Sequence, residues 1–148
     1  MAPPPAPEPQ THYQGHILIV DDEEAIITAL TRILRTLGFT VKCARDGREA
    51  MEILETGTPF ELVIMDLSMP RMGGKEAFQA MRALCPGLPI ILSSGYDEQQ
   101  VVEELTRQGL AGFLPKPYRI QELRQVIAAA LSKSKSLPKA KVNGPDQA

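Results

Sequence analysis

Hydrophobic residues fall in a repeating pattern along the middle of the chain. Short apolar runs alternate with longer stretches whose apolar positions recur every three to four residues. The runs are His16–Val20, Thr40–Ala44, Leu62–Met65, Pro89–Ser93 and Gly112–Leu114, and their length and composition predict strands. The stretches between and after them predict helices over Glu23–Leu37, Arg48–Glu55, Lys75–Leu84, Glu98–Gln108 and Ile120–Leu131. In the first helix Ile26, Leu30, Ile33, Leu34 and Leu37 form the predicted buried stripe. In the fifth it is Ile120, Leu123, Ile127 and Leu131. The fourth offers only Val101, Val102 and Leu105, which makes it the weakest. Five alternations of strand and helix predict a parallel sheet with helices on both faces. Runs one, three and four are apolar throughout, as interior strands are. Run two alternates Val41 and Cys43 with polar neighbours, as an edge strand does.

The ends of the chain differ from this middle. Residues 1–14 carry Pro3, Pro4, Pro5, Pro7 and Pro9, which favour extended polyproline II, so this segment is expected to be a linker. The folded unit is expected over 15–131 and a Ser/Lys/Pro tail over 132–148. Formal charge is −2 over 148 residues, but the tail holds four lysines against one aspartate, leaving the remainder near −5. An acidic body argues against nucleic-acid binding. Cys43 and Cys85 show neither metal-site nor redox spacing and read as reduced thiols. No apolar stretch approaches the ~20 residues of a membrane span and no secretory signal is visible, so the expected location is the cytoplasm.

The candidate chemistry lies where the predicted strands end. Asp21 and Asp22 follow the first run, Asp66 the third, Ser94 the fourth and Lys116 the fifth. In a parallel sheet the carboxyl ends share one edge, so these residues converge there. Three carboxylates, a hydroxyl and an ammonium suit a divalent cation and a phosphoryl group. The absence of a Cys/His ligand set favours Mg²⁺ (or Mn²⁺) over zinc. Taken singly each residue has a plainer reading: Asp22 as a helix cap, Asp66 and Ser94-Gly95 as turn formers, Lys116 as a solvated cation. Joint occurrence at four strand ends favours the site.

Four segments carry a family resemblance: Val20-Asp21-Asp22-Glu23-Glu24, Asp66-Leu67-Ser68-Met69-Pro70-Arg71-Met72-Gly73-Gly74, Ser94-Gly95 and Phe113-Leu114-Pro115-Lys116-Pro117. In this order, each at a strand end, they resemble the receiver domain of two-component response regulators over about His16–Leu131. The resemblance implies a flavodoxin-like, doubly wound (βα)5 fold with strand order 2-1-3-4-5. It implies that Asp66 accepts a phosphoryl group from a histidine kinase or histidine phosphotransfer protein, with no turnover of a separate substrate. Asp21, Asp22, Asp66 and the Ser68 backbone carbonyl would hold the metal, Asp21 through a water. Ser94 and Lys116 would bind the phosphoryl group, and Lys116-Pro117 would be cis. Ser94 and Phe113 would form the switch, moving the surface of helix 4, strand 5 and helix 5, through which a homodimer could also form. Ser68 and Tyr96 would tune the lifetime of the acyl phosphate.

Segments 73–78 and 93–96 resemble receivers at the C-terminus of hybrid sensor histidine kinases; a stand-alone single-domain regulator is the alternative. A phosphatase of the haloacid dehalogenase type also joins Asp, Ser/Thr, Lys and Mg²⁺, but wants Asp-x-Asp after the first strand, where this chain has an adjacent pair. A phosphorylation-independent docking domain would not need the full acidic set. A dinucleotide site would need glycines after the first strand, and there are none.

Overall fold

A computed structural model of the chain describes residues 13–69, 72–95 and 99–135, the last three as backbone only. The expected tail and linker lie almost wholly outside this range, as does Tyr96. Five strands, β1 (His16–Val20), β2 (Thr40–Ala44), β3 (Leu62–Asp66), β4 (Ile90–Ser94) and β5 (Gly112–Pro115), alternate with α1 (Glu24–Leu37), α2 (Gly47–Glu55), α3 (Gly74–Leu84), α4 (Gln99–Arg107) and α5 (Ile120–Lys135). The strands form one parallel sheet in the order β2-β1-β3-β4-β5. This is the flavodoxin-like arrangement.

The sheet divides the core by side-chain alternation. Leu18, Val20, Val63, Met65, Ile90 and Leu92 pack against α2, α3 and α4 through Ala50, Leu54, Phe78, Met81, Val102 and Leu105. Ile17, Ile19, Leu62, Ile64, Ile91 and Leu114 face the other way, onto Ile27, Leu30 and Leu34 of α1 and Leu123, Ile127 and Leu131 of α5. β1, β3 and β4 are buried almost throughout, whereas the edge strand β2 is half open. Right-handed crossovers put successive helices on the faces this order requires.

Two predicted stripes need correction. In α1 the residues turned onto the sheet are Ile27, Leu30 and Leu34, not Ile26 and Ile33, which stay half-buried. Adjacent isoleucines at 26 and 27 let two helical stripes one residue apart look equally apolar, and packing selects one. In α5, Ile120 is the first residue of the helix and is 56 % exposed. α5 also continues to Lys135, past the predicted stop at Leu131.

Tyr13 is likewise packed: its ring stacks on Phe39 at 4.8 Å, and its N–H donates to Leu37 O at 2.9 Å. Between those two residues Gly38 ends α1 with φ +111°, its N–H donating to Arg35 O and that of Phe39 to Leu34 O. A side chain at Gly38 would be strained in backbone and would strike the Tyr13 carbonyl.

Candidate functional site

The carboxyl edge of the sheet is tied together by backbone bonds that run past the strand ends. Asp21 N donates to Ala44 O (3.0 Å), Leu67 N to Ser93 O (2.9 Å) and Lys116 N to Ser94 O (2.8 Å). Each bond fixes one expected site residue, or its immediate neighbour, against the next strand. Asp66 closes β3 and is only 6 % exposed; Asp21 follows β1 and is also buried. Asp22 beside it is exposed and does not cap α1, whose N-cap is Glu23. The Glu23 N–H instead donates to Asp21 Oδ1 at 2.9 Å, which orients that carboxylate.

Lys116 reaches into this acidic group from the end of β5. Its Nζ lies 3.1 Å from Asp66 Oδ1, 3.6 Å from Asp21 Oδ2 and 3.5 Å from Glu23 Oε1. The following peptide bond, Lys116-Pro117, is cis. One ammonium is thus shared by three carboxylates, with Asp22 close by, and the ionisation of the cluster follows from that imbalance. Burial raises the Asp66 carboxyl; the hydrogen bond and charge of Lys116 pull it back, the negative charges of Asp21 and Asp22 push it further, and the result is about 6. Burial also raises Asp21, against the opposing Glu23 N–H and Lys116. Burial alone would lower Lys116, but Asp66, Asp21 and Glu23 together outweigh it and hold the ammonium above its ordinary range. Tyr118, two residues on, is pushed up to about 12, first by burial.

Oxygen atoms of Asp21, Asp22 and Asp66 lie within 4.8 Å of one another. This all-oxygen set, with no sulfur or imidazole ligand, fits a small hard divalent cation, which would relieve the repulsion among these carboxylates.

The other expected residues stand as follows. Ser94 ends β4 and is buried, but its hydroxyl donates to Gly95 O at 3.1 Å, so it faces its own loop and not Asp66. Ser68 is exposed on the loop after Asp66. That loop is closed by Gly74, whose N–H donates to Leu67 O at 2.9 Å; a Cβ on Gly74 would lie 2.6 Å from Leu67 Cα. Phe113 is half-buried against the cluster that holds Val102 and Leu105 of α4. Tyr96 lies outside the described residues. His16 starts β1, at the opposite edge of the sheet, bonded to Thr40 Oγ1.

Residues 17–128 match the response regulator receiver domain family. The chain belongs to that family. The receiver is 35 % identical over 118 residues to the sensor kinase CckA of Brucella abortus, a match covering 79 % of this chain and 12 % of that protein. It is 33 % identical to the response regulator MprA of Mycolicibacterium vanbaalenii, covering 80 % of this chain and 51 % of MprA. These curated relatives are therefore two to several times as long as the part matched. Among solved structures, a response regulator receiver domain protein from Clostridium thermocellum superimposes with a TM-score of 0.78 at 26 % identity, covering 83 % of this chain and 98 % of that one. A CheY-like receiver domain protein from Methanospirillum hungatei gives a TM-score of 0.78 at 27 % identity, covering 84 % and 98 %.

Two features of the receiver's site were not read from sequence. Glu23 carries no local signal that Lys116 arrives beside it. A groove of 610 Å³ opens next to Lys116, between Ile26, Ala29, Leu30 and Ile33 of α1 and Pro117, Tyr118 and Ile120. It is lined by the isoleucines that the predicted stripes had turned inward.

Proposed function

We propose that this receiver is a phosphoacceptor module in which Asp66 takes a phosphoryl group from a histidine kinase or histidine phosphotransfer protein. The observation that carries the reading is the Lys116 ammonium 3.1 Å from the buried Asp66 carboxylate, within a cluster of acidic groups at the sheet's carboxyl edge. A carboxylate whose pKa is about 6 is ionised and nucleophilic at neutral pH. Lys116 is already positioned to meet incoming phosphoryl oxygens, and Ser94 needs only a rotation about χ1 to turn its hydroxyl from Gly95 O. Asp21, Asp22, Asp66 and the Ser68 backbone carbonyl would hold Mg²⁺, or Mn²⁺. When bound, the ion would offset the repulsion between the carboxylates and a phosphoryl dianion. Intact-mass measurement after treatment with acetyl phosphate tests this: an Mg²⁺-dependent adduct that Asp66→Asn abolishes is expected, and no adduct on the wild-type chain refutes the reading.

The groove beside Lys116 gives an apolar seat for the donor protein, next to the nucleophile. The output would follow from Ser94 and Phe113: a phosphoryl group draws the Ser94 hydroxyl inward and the Phe113 ring repacks, shifting α4, β5 and α5. The same surface would serve a homodimer. Amide shifts of α4 should change on adding beryllofluoride with Mg²⁺; unchanged shifts count against the switch. Ser68 and Tyr96 would set the lifetime of the acyl phosphate, Tyr96→Ala hydrolysing faster.

As for context, the receiver reads as the C-terminal module of a hybrid sensor histidine kinase, in the cytoplasm, joined by the proline-rich linker and followed by the lysine-rich tail. The match within a sensor kinase supports this. The matched response regulators keep a stand-alone single-domain regulator as the second reading. The receiver itself would contact neither nucleic acid nor membrane; no described helix is long and apolar enough to cross a bilayer. It would turn over no separate substrate, and steady hydrolysis of p-nitrophenyl phosphate would instead favour a haloacid-dehalogenase-like phosphatase.

A further inference from the structure

Ser93 is the residue of β4 in register with Asp66 of β3. Both continue the face set by Ile64 and Ile91, which lie together in the α1/α5 cluster, whereas Met65 and Leu92 belong to the opposite one. On adjacent parallel strands, residues in register carry their side chains side by side on one face. Ser93 is 3 % exposed, and its Oγ is buried with no hydrogen-bond partner among the described residues. A buried hydroxyl left unpaired is costly, and one beside a nucleophile calls for a functional account. Its other neighbour in register, Leu114 of β5, is apolar and offers no side-chain partner. Asp66 is the polar residue beside it in register across the sheet.

We propose that Ser93 is a positioning residue for phosphorylated Asp66, its hydroxyl donating to the carbonyl oxygen of the acyl phosphate. The proposal rests on the phosphoacceptor reading above. In the present state Lys116 occupies an Asp66 carboxylate oxygen. With acetyl phosphate as donor, one carboxylate oxygen of Asp66 forms the new O–P bond. The bond from phosphorus to the donor's bridging oxygen breaks, and its electron pair leaves with acetate. Lys116 is then drawn to the phosphoryl oxygens, which carry the greater charge. The remaining Asp66 oxygen, now a carbonyl, loses the Lys116 hydrogen bond; one of its lone pairs would face the metal, and Ser93 is the adjacent group that can donate to the other. A hydrogen bond made only in the phosphorylated state stabilises that state selectively.

The experiment compares wild type, Ser93→Ala and Ser93→Thr, each treated with acetyl phosphate and Mg²⁺. Phosphorylated fraction is read by intact mass and folding by thermal denaturation. Loss of one such bond predicts a ratio of phosphorylated to free Asp66 lower by about fivefold in Ser93→Ala, and recovery in Ser93→Thr, which keeps the hydroxyl. The melting temperature of Ser93→Ala should equal or exceed that of wild type, since an unpaired buried hydroxyl is removed. Wild-type phosphorylation in Ser93→Ala overturns the proposal, as does a Ser93→Thr variant no better than alanine. If Ser93→Ala proves unstable, Ser93→Cys, a much weaker donor, should show the same deficit, and full phosphorylation of that variant counts equally against Ser93. Absence of any Asp66 adduct in wild type is a separate outcome, which removes the phosphoacceptor reading and this inference with it.

Discussion

Replacing Asp66 by Asn should make the metal-free receiver more stable at neutral pH. In the folded chain the carboxyl sits at about 6, against 3.8 when free. Two pH units correspond to about 3 kcal/mol of differential cost in ionising the buried group. Asn has nearly the same shape without the charge. Lys116 is not orphaned by the change, because Asp21 Oδ2 and Glu23 Oε1 remain at 3.6 and 3.5 Å. The shift already includes the pull of Lys116, so the expected net gain is about 2–3 kcal/mol.

The pH dependence has a definite sign. Between 3.8 and about 6 the folded state holds a proton that the unfolded chain has released, so wild-type stability falls as pH rises through that window and then levels off. Asp66→Asn lacks this fall. Asp21 is retained in both proteins, so their difference isolates Asp66. Urea denaturation in chelator at about pH 7.5 and about pH 5 reads it directly, and the advantage of Asp66→Asn should shrink by roughly half at the lower pH. A variant no more stable than wild type near pH 7.5, or a gap equal at both pH values, refutes the account of a desolvated, crowded carboxylate.

Added Mg²⁺ should raise the melting temperature of wild type and shift Asp66→Asn much less; the stabilisation should weaken as pH falls below 6, where Asp66 takes up a proton. Gly74→Ala should cost about 1–3 kcal/mol in urea denaturation, because the new Cβ meets Leu67 Cα at 2.6 Å and the loop behind Asp66 must move; unchanged stability would mean that the loop yields freely. Ile26→Asp with Ile33→Asp, both half-buried in the groove, should leave the mass adduct from acetyl phosphate intact while slowing phosphotransfer from a phosphohistidine protein at least tenfold. Equal loss with both donors would remove the groove from partner docking.

Much of this was legible along the chain because the decisive signals are local. A strand such as Ile17–Val20 or Leu62–Met65 is apolar throughout only where both sheet faces are covered, and that pattern, alternating with helical spacing, leaves few topologies. What resisted reading depends on contacts across the chain. The Ala25-Ile26-Ile27 step leaves the rotation of α1 undetermined until the sheet is present. Nothing in the sequence pairs Glu23 with a lysine that follows it by more than ninety residues. The Ser94 hydroxyl is fixed by its own loop carbonyl, a choice of rotamer that sequence does not express. Ser93 looked like one more residue of an apolar run, because only the β3–β4 register sets it beside Asp66.

The two sides of the central ion pair respond in opposite ways to burial, and that asymmetry suits a phosphoacceptor. Lys116 gains from its neighbours more than it loses, so it stays charged; Asp66 loses more to burial and to Asp21 and Asp22 than Lys116 returns. A site with balanced charges would sit in a well, with little to gain from a ligand. Here the excess is negative, and a divalent cation would relieve it. On the phosphoacceptor reading, that would leave the lysine free to turn to a phosphoryl group. The repulsion that makes the cluster costly to fold is thus free energy that a divalent cation would recover on binding. Substitutions that relieve it, Asp66→Asn first among them, should gain stability and lose phosphorylation together.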